Sequence, residues 1–297
     1  LIENFRPGSL EKLGFSYDDV HAMNPKLIYC SITGYGHTGP NKNLPGYDAV
    51  IQGDSGLMSV TGFPDGPPTR VGVAITDYLA GLYAMNGILL SLRERDRTGQ
   101  GQHVDIALLD SMTSALALPA NIYFHTGETP GREGNQHHSL TPYETIHVKD
   151  GLVVIAVGNE RLWAQFCQAI NANDLKDDPR YRNNTDRMTN RPALAQELSD
   201  RLSQYNRDDL IGQLREHAVP CAQVRTVAEA LEEPHLKARE MVVDISQAQL
   251  GKIRTLGNPI KLSAAPALIQ KPPPALGEHN DEILKELGLD ESQETEN

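Results

Sequence analysis

The feature that most constrains this chain is a strand that is apolar on both faces. Residues 26–33 read Lys-Leu-Ile-Tyr-Cys-Ser-Ile-Thr, and a strand buried on both faces is typical of a parallel sheet covered by helices. A short helix precedes it, which we predict to be capped by Ser16 and ended by Asn24-Pro25. The glycine-containing loop 34–40 follows it. We therefore expect an α/β fold whose strand-end loops bind the ligand.

Two further strands are predicted in the same sheet. Residues 1–3 read as the end of one strand, and residues 103–109 alternate as another, with Asp110-Ser111 as the expected cap of the next helix. A strand end at the first residue has no preceding helix or partner strand. We therefore expect the chain to begin partway through an α/β domain, with an N-terminal portion missing.

We predict a long apolar helix that ends just before residue 98, and a carboxylate lies near the start of this helix. Large apolar residues recur along it at alternating steps of four and three, which places them on one helix face. We expect this face to be buried; its residues are Tyr78, Leu82, Met85, Leu89 and Leu92. Thr76-Asp77 occupies the position of a cap, so Asp77 is either an N-cap that satisfies free amides or a carboxylate kept ionised for nucleophilic attack. The rival carboxylate, Asp110, is interpreted as structural.

Composition excludes several classes of function. The 297 residues carry 39 acidic and 27 basic side chains, a formal net charge of -12, which argues against a nucleic-acid or anionic-membrane surface. Three cysteines without metal-ligand spacing suit a reducing cytoplasm. The longest apolar runs are broken well short of a membrane span. We expect a soluble cytoplasmic protein with no bound metal.

A change of composition near Thr126 predicts a domain boundary, because residues 127–138 are polar and aperiodic. A hairpin is predicted at 145–159 and amphipathic helices at 161–170, 191–204 and 208–217. Later elements are a strand at 219–224, a helix at 226–231, a hairpin through Gly251, a helix at 278–287 and an acidic, disordered tail. The predicted domains are 1–125 (large), 126–218 (linker and small domain) and 219–297 (return to the large domain, and tail).

The loops taken together resemble one family, the class III CoA-transferases, which include formyl-CoA transferase and the carnitine CoA-transferase group. The motifs that carry the resemblance are Glu-Asn-Phe-Arg-Pro-Gly at 3–8, Asn-Pro-Lys-Leu-Ile at 24–28, Gly-Tyr-Gly at 34–36, Gly-Pro at 39–40, Gly-Tyr-Asp at 46–48, Asp-Gly-Pro-Pro at 65–68, Ala-Ile-Thr-Asp at 74–77 with Gly81, Thr-Gly-Gln-Gly-Gln at 98–102 and Leu-Gly-Glu-His at 276–279. They span nearly the whole chain, and only their combination is specific.

This resemblance implies a Rossmann-like large domain, a smaller α/β domain, and ring-shaped subunits interlocked in a homodimer. It makes Asp77 the catalytic aspartate that forms aspartyl anhydride and aspartyl-CoA thioester intermediates. Coenzyme A or acyl-CoA is then the substrate. The residues implied to contact it are Asn4, Phe5 and Arg6 in one loop, Lys12 near the adenosine end, and Tyr47 and Asp48 beside the thioester.

Two departures from the family leave questions open. The opening strand-helix units are absent, and residues 131–138 replace the glycine run that covers the site in formyl-CoA transferase. In that replacement, His137 and His138 either bind a substrate carboxylate or are simply exposed. The sequence does not identify donor or acceptor, although related transferases use dicarboxylates such as succinate.

Two other functions compete with CoA transfer. An α-methylacyl-CoA racemase shares the fold and the aspartate, but in the racemases a histidine lies where Tyr47 lies here, and tyrosine is a poor acid-base partner near neutral pH. A non-catalytic CoA-binding or assembly protein is the alternative from another class.

Overall fold

The structure is a computed structural model that describes residues 1–247, 251–266, 269 and 271–289. The chain divides into two compact units, residues 1–222 and 223–297. The elements up to that division are β1 (Ile2–Glu3), α1 (Tyr17–Met23), β2 (Tyr29–Thr33), α2 (Asp48–Asp54), α3 (Ile75–Thr98), β3 (His103–Ala107), α4 (Leu108–Ala115), α5 (Ala117–Thr126), β4 (Tyr143–Val148), β5 (Gly151–Ala156), α6 (Glu160–Ala169), α7 (Asn173–Asp177), α8 (Asn184–Thr189), α9 (Arg191–Leu202), α10 (Arg207–Glu216) and β6 (Cys221–Gln223).

A parallel sheet of order β1-β2-β3 lies in the first unit, with β2 in the centre. Glu3 pairs with Ser31, and Ser31 pairs with Asp105. Helix α1 precedes the central strand and begins at the predicted cap, Ser16, which forms a capping box with Asp19. A mixed α/β fold with a parallel sheet is therefore confirmed.

The buried face of α3 differs from the predicted one. Its buried residues are small, namely Thr76, Ala80, Ala84 and Ser91, whereas the expected core residues Tyr78 and Leu82 are 65% and 52% exposed. Close approach to the sheet explains the difference, because a Cβ on Gly87 would lie 2.6 Å from Cγ1 of Val104. Large side chains do not fit at that distance. They lie instead on the far side of the helix.

Helix α3 bears on the prediction that no segment spans a membrane. Its 24 residues are long and apolar enough for a span by length and composition alone. In this structure the helix packs on β3 and α4, and its small residues are buried. The absence of a membrane partner stays a prediction.

The later part of the first unit is built around an antiparallel hairpin. Strands β4 and β5 pair from Tyr143 opposite Ala156 to Val148 opposite Gly151, and β6 extends the sheet on the β5 side. The predicted hairpin and the helices α6, α9 and α10 are confirmed. The strand predicted at 219–224 joins this second sheet. The domain boundaries themselves stay predictions.

The second unit contains α11 (Val227–Leu231), α12 (Pro234–Ala238), β7 (Val242–Gln247), β8 (Gly251–Leu256) and α13 (Asn280–Glu286). Strands β7 and β8 form the predicted hairpin, in which Gln247 pairs with Gly251. Thr226 caps α11 in a capping box with Glu229. The acidic tail predicted at the C-terminus lies outside the described residues.

Candidate active site

Loops at the carboxyl ends of β1 and β2 form an open cleft with the first turns of α2 and α3. Its volume is about 230 Å³, and its lining residues are Asn4, Phe5, Arg6, Pro7, Thr33, Gly34, Leu44, Pro45, Gly46, Tyr47, Asp48, Asp77 and Leu108. Every predicted site residue except Lys12 is present. Ligand pockets usually measure about 300–1,000 Å³, so this cleft suits the reacting end of a ligand rather than a whole nucleotide.

Two glycines determine how closely the cleft walls approach. A Cβ on Gly34 would lie 2.6 Å from the Cα of Gly46, and a Cβ on Gly46 would be equally close to the Cα of Gly34. Any larger residue at either position would push the two loops apart. Tyr47 and Asp48 directly follow this contact, which explains why glycine stands at both positions.

Asp77 lies in the first turn of α3, but it is not the cap. The helix begins at Ile75, its N-cap is Ala74, and no side chain caps it. Asp77 is therefore the third helical residue, and the expectation of an N-cap was wrong. Among the residues that the structure describes, none donates a hydrogen bond to its carboxylate. Asp110 is likewise the third residue of its helix, since α4 begins at Leu108 without a side-chain cap.

The electrostatics of Asp77 also differ from the expectation of a carboxylate stabilised by amides. Burial raises the pKa of Asp77 above its ordinary value, and the negative charge of Asp48 raises it further. Both causes disfavour the charged form. A carboxylate in such surroundings is a stronger base and nucleophile once ionised, and perturbed groups in clefts are typical of reactive sites.

Asp48 uses both carboxylate oxygens within the protein. One oxygen accepts hydrogen bonds from the amide and the hydroxyl of Thr76, at 3.0 and 2.9 Å. The other accepts one from Nε2 of Gln52 at 2.7 Å. The contact with Thr76 fixes the first turn of α3, and with it the position of the adjacent Asp77.

Gln52 was missed by the sequence reasoning. Its side chain is fully buried, and its Oε1 accepts the amide of Val71 at 2.8 Å while its Nε2 donates to Asp48. Gln52 therefore ties α2 to the segment that leads into α3. The available signal was its position four residues after Asp48, which places the two side chains on one helix face.

The loop after β1 is held by its backbone and by Asn4. Nδ2 of Asn4 donates to the carbonyl of Ile32 at 2.5 Å, and the amide of Phe5 donates to Oε2 of Glu3 at 2.7 Å. Phe5 and Arg6 themselves are exposed, as is Tyr47. Their side chains thus border the cleft without being fixed by the core.

The structure does not bring Lys12 or the histidine pair to this cleft. Lys12 is exposed in a 3₁₀ turn at Glu11–Leu13. His137 and His138 line a separate cavity of about 370 Å³. There the ring of His137 stacks on Tyr143, with the ring centroids 4.9 Å apart.

The described residues contain no group of three or more His, Cys, Asp or Glu side chains placed to hold a metal ion. The expectation of a metal-free site stays a prediction. The three cysteines are unpaired, and burial raises the pKa of the Cys167 thiol to about 12, so that thiol stays protonated and inert at neutral pH.

Comparison with known proteins identifies the family of the chain. The family model described as CoA-transferase family III matches residues 1–280. The chain is 38% identical to the succinate–glutarate CoA-transferase of Agrobacterium fabrum, over 97% of this chain and 72% of that protein. It is 37% identical to the acetyl-CoA:oxalate CoA-transferase of Acetobacter aceti, over 99% and 75%.

A solved structure gives the same result for the fold. The crystal structure of a CAIB/BAIF family protein from Brucella suis superposes with a TM-score of 0.87 at 42% identity, covering 96% of this chain and 74% of that one. The chain belongs to the class III CoA-transferase family. The family resemblance found in the loops is thereby confirmed, and with it an enzyme of this family whose substrate is CoA or acyl-CoA.

Proposed function

We propose that the cleft moves CoA from an acyl-CoA donor to a carboxylic acid acceptor, with Asp77 as the nucleophile. The observation that carries the proposal is the place of the Asp77 carboxylate in the cleft, beside the residues of the loop motifs. The carboxylate lines the cleft, its pKa is raised by burial and by Asp48, and no described residue donates a hydrogen bond to it. Asp110, which has the same position in the first turn of α4, lies outside this cleft.

The reaction begins when an Asp77 oxygen attacks the thioester carbonyl. The C–S bond breaks, which leaves a mixed anhydride and CoA thiolate. The thiolate attacks the aspartyl carbonyl, releases the donor acid as its carboxylate, and forms an aspartyl-CoA thioester. An acceptor carboxylate opens this thioester to a second anhydride. The thiolate then attacks the acceptor acyl carbonyl, which regenerates the Asp77 carboxylate.

The residues around Asp77 have separate tasks in this proposal. Asn4, Phe5, Arg6 and Tyr47 contact CoA at the cleft, and Lys12 serves the adenosine end from outside it. Asp48 lies beside the thioester, but its two oxygens are bonded to Thr76 and Gln52. Its task is to hold the first turn of α3. Backbone amides of the cleft loops stabilise the oxyanions.

The acceptor proposed is a small dicarboxylate. Relatives are named as succinate–glutarate and acetyl-CoA:oxalate CoA-transferases, and the cleft is small and polar. A screen of acyl-CoA donors against mono- and dicarboxylic acids tests this choice. Faster transfer to monocarboxylates than to any dicarboxylate would contradict it.

The assembly proposed is an interlocked homodimer of ring-shaped subunits, each with a Rossmann-like large domain, located in the cytoplasm. The support for the dimer is the family membership. Light scattering of the active enzyme measures the molar mass directly. An active monomer would contradict the dimer.

Trapping with hydroxylamine tests the function. Incubation with acyl-CoA and hydroxylamine converts an aspartyl anhydride or thioester to a hydroxamate, which peptide mass spectrometry locates. We expect the modification at Asp77 in the wild-type protein and in Asp110→Asn, and none in Asp77→Asn. Modification at Asp110, or α-proton exchange of the acyl-CoA without any hydroxamate, would overturn the transferase mechanism; the second result would favour a racemase.

A further inference from the structure

Glu3 is a buried carboxylate to which the mechanism above gives no task. It is the last residue of β1, only 8% of its surface is exposed, and a glutamate is rarely buried to that extent unless it is paired. In the described part of the chain, no lysine or arginine forms an ion pair with it. The imidazole of His37 faces it, with Nε2 3.8 Å from Oε1.

The carboxylate of Glu3 joins two loops of the cleft. Oε2 accepts the amide hydrogen of Phe5 at 2.7 Å, which fixes the backbone of the loop that follows β1. Oε1 faces His37 in the loop that follows β2. The amide of His37 in turn donates to Oδ2 of Asp105 on β3, at 3.0 Å.

The burial of Glu3 strengthens its hydrogen bond with the amide of Phe5, so loss of this bond should be costly. A hydrogen bond to a charged acceptor contributes more than a neutral one, and the low local dielectric strengthens it further. The side chains of Asn4, Phe5 and Arg6 leave the backbone within the segment that this bond holds. The directions of Phe5 and Arg6 relative to the cleft therefore depend on Glu3, whereas the side chain of Asn4 is also held by the carbonyl of Ile32.

We propose that Glu3 is a positioning residue for CoA binding: its carboxylate orders the loop of Asn4, Phe5 and Arg6 before the ligand arrives. This inference rests on the proposed function, in which that loop contacts CoA. A loop ordered in advance loses less conformational entropy on binding, so the effect falls on affinity rather than on the chemical step.

Three variants test the proposal. Glu3→Ala removes the acceptor, Glu3→Gln keeps an acceptor oxygen of the same reach, and Glu3→Asp keeps the charge but shortens the reach by one methylene. Ser31→Ala is the matched control, because Ser31 is fully buried and pairs with Glu3 in the sheet but touches His103 rather than the loop. Calorimetry gives the Kd for CoA, steady-state kinetics give KM and kcat, and thermal melts give Tm.

For Glu3→Ala we expect the Kd for CoA and the KM for acyl-CoA to rise about tenfold, because one charge-assisted hydrogen bond is lost. The rate of hydroxamate formation at saturating acyl-CoA stays within about twofold of wild type. Glu3→Gln restores most of the affinity, and Glu3→Asp does not. Ser31→Ala lowers Tm and leaves Kd unchanged.

The proposal is overturned if Glu3→Ala lowers Tm as Ser31→Ala does and leaves Kd unchanged. If Glu3→Ala does not fold, Glu3→Asp decides, and wild-type affinity in that variant overturns the proposal too. Loss of kcat at unchanged KM also contradicts it. The Kd for CoA and Tm do not depend on the chemistry at Asp77, which the position of the hydroxamate reports separately.

Discussion

The two halves of the first unit differ in the size of their buried cores. The region from Thr141 to Ala222, called here the hairpin region, has a dense core in which Phe166, Leu194, Leu198 and Leu214 are almost completely buried. The region from Leu1 to Thr126, called here the cleft region, has a small buried cluster of Ile51, Ala80, Leu108 and Met112. The larger core lies in the hairpin region, and the proposed reactive groups lie in the cleft region.

The charged groups show the same difference. Arg187 of the hairpin region is completely buried, with Glu160 2.7 Å from its Nη1 and backbone carbonyls of Thr141 and Tyr181 accepting its other hydrogens. Asp77 of the cleft region has no such partners among the described residues. A buried charge that is fully paired serves the fold, whereas an unpaired carboxylate in a cleft is available for chemistry.

The largest expected effect is on activity at Asp77. Asp77→Asn should lower CoA transfer by about 10⁴-fold or more, as removal of a nucleophile does. Tm at neutral pH should not fall. The folded protein raises the pKa of this carboxyl, so its contribution to stability is present at low pH and is lost as the pH rises through the folded pKa.

Transfer assays and thermal melts measure both effects. Asp110→Asn is the control, since Asp110 has the same position in the first turn of α4 and should retain full activity. Transfer at the wild-type rate by Asp77→Asn would refute the mechanism.

The largest expected effect on stability is at Arg187. Arg187→Leu should lower the free energy of unfolding by about 3–5 kcal/mol, because the carbonyls of Thr141 and Tyr181 lose their buried donor. The guanidinium also lies over the ring of Trp163 at 4.9 Å, a contact that is lost as well. Denaturant unfolding measures the change.

Arg180 provides the comparison for that experiment. Its guanidinium pairs with Asp178 and Glu197 at an exposed position, and Arg180→Leu should change stability far less than Arg187→Leu. Equal losses in the two variants would mean that burial does not decide the contribution of an arginine here.

A substitution at Gln52 should change both stability and activity, because its side chain is fully buried and lies in the cleft region. Gln52→Leu removes the hydrogen bonds to Asp48 and Val71 and should lower stability by about 1–3 kcal/mol. It should also lower kcat by about ten- to a hundredfold, since misplacing the first turn of α3 displaces Asp77. KM should change little.

Steady-state kinetics beside denaturant unfolding separate these contributions. Gln52→Glu is the matched variant, because it keeps an acceptor for Val71 but places a second negative charge against Asp48. If Gln52→Leu lost stability and kept kcat, Gln52 would be a core residue only.

The smallest expected effect is on the pH dependence of the reaction. In the proposed mechanism only the ionised Asp77 carboxylate attacks, so kcat should fall as the pH falls through its raised pKa. Burial is the larger cause of the raised pKa of Asp77, and the negative charge of Asp48 is the second cause. Asp48→Asn should therefore move the acid limb of the kcat profile to lower pH, by less than about one unit. A shift to higher pH would contradict this direction.

The sequence determined a great deal about this protein. Hydrophobic periodicity and turn residues located the strands of the parallel sheet and the long helix that begins near Asp77, and Ser16 and Thr226 marked helix starts that the structure confirms. The loop motifs together identified the family. Of the seven site residues that they implied, all but Lys12 line the cleft, because motifs of this kind lie in short contiguous segments.

Only the tertiary structure decided which side chains meet. Periodicity placed the large residues of α3 inside, whereas the helix buries its small residues and brings Gly87 close to Val104 of the sheet. Gln52 and Asp48 contact each other within one helix. Each also has a partner from a different segment, which is Val71 for Gln52 and Thr76 for Asp48. Such contacts depend on how elements rotate and approach after packing. A pattern along the chain carries no information about that rotation, because periodicity defines the face of a helix but not what the face contacts.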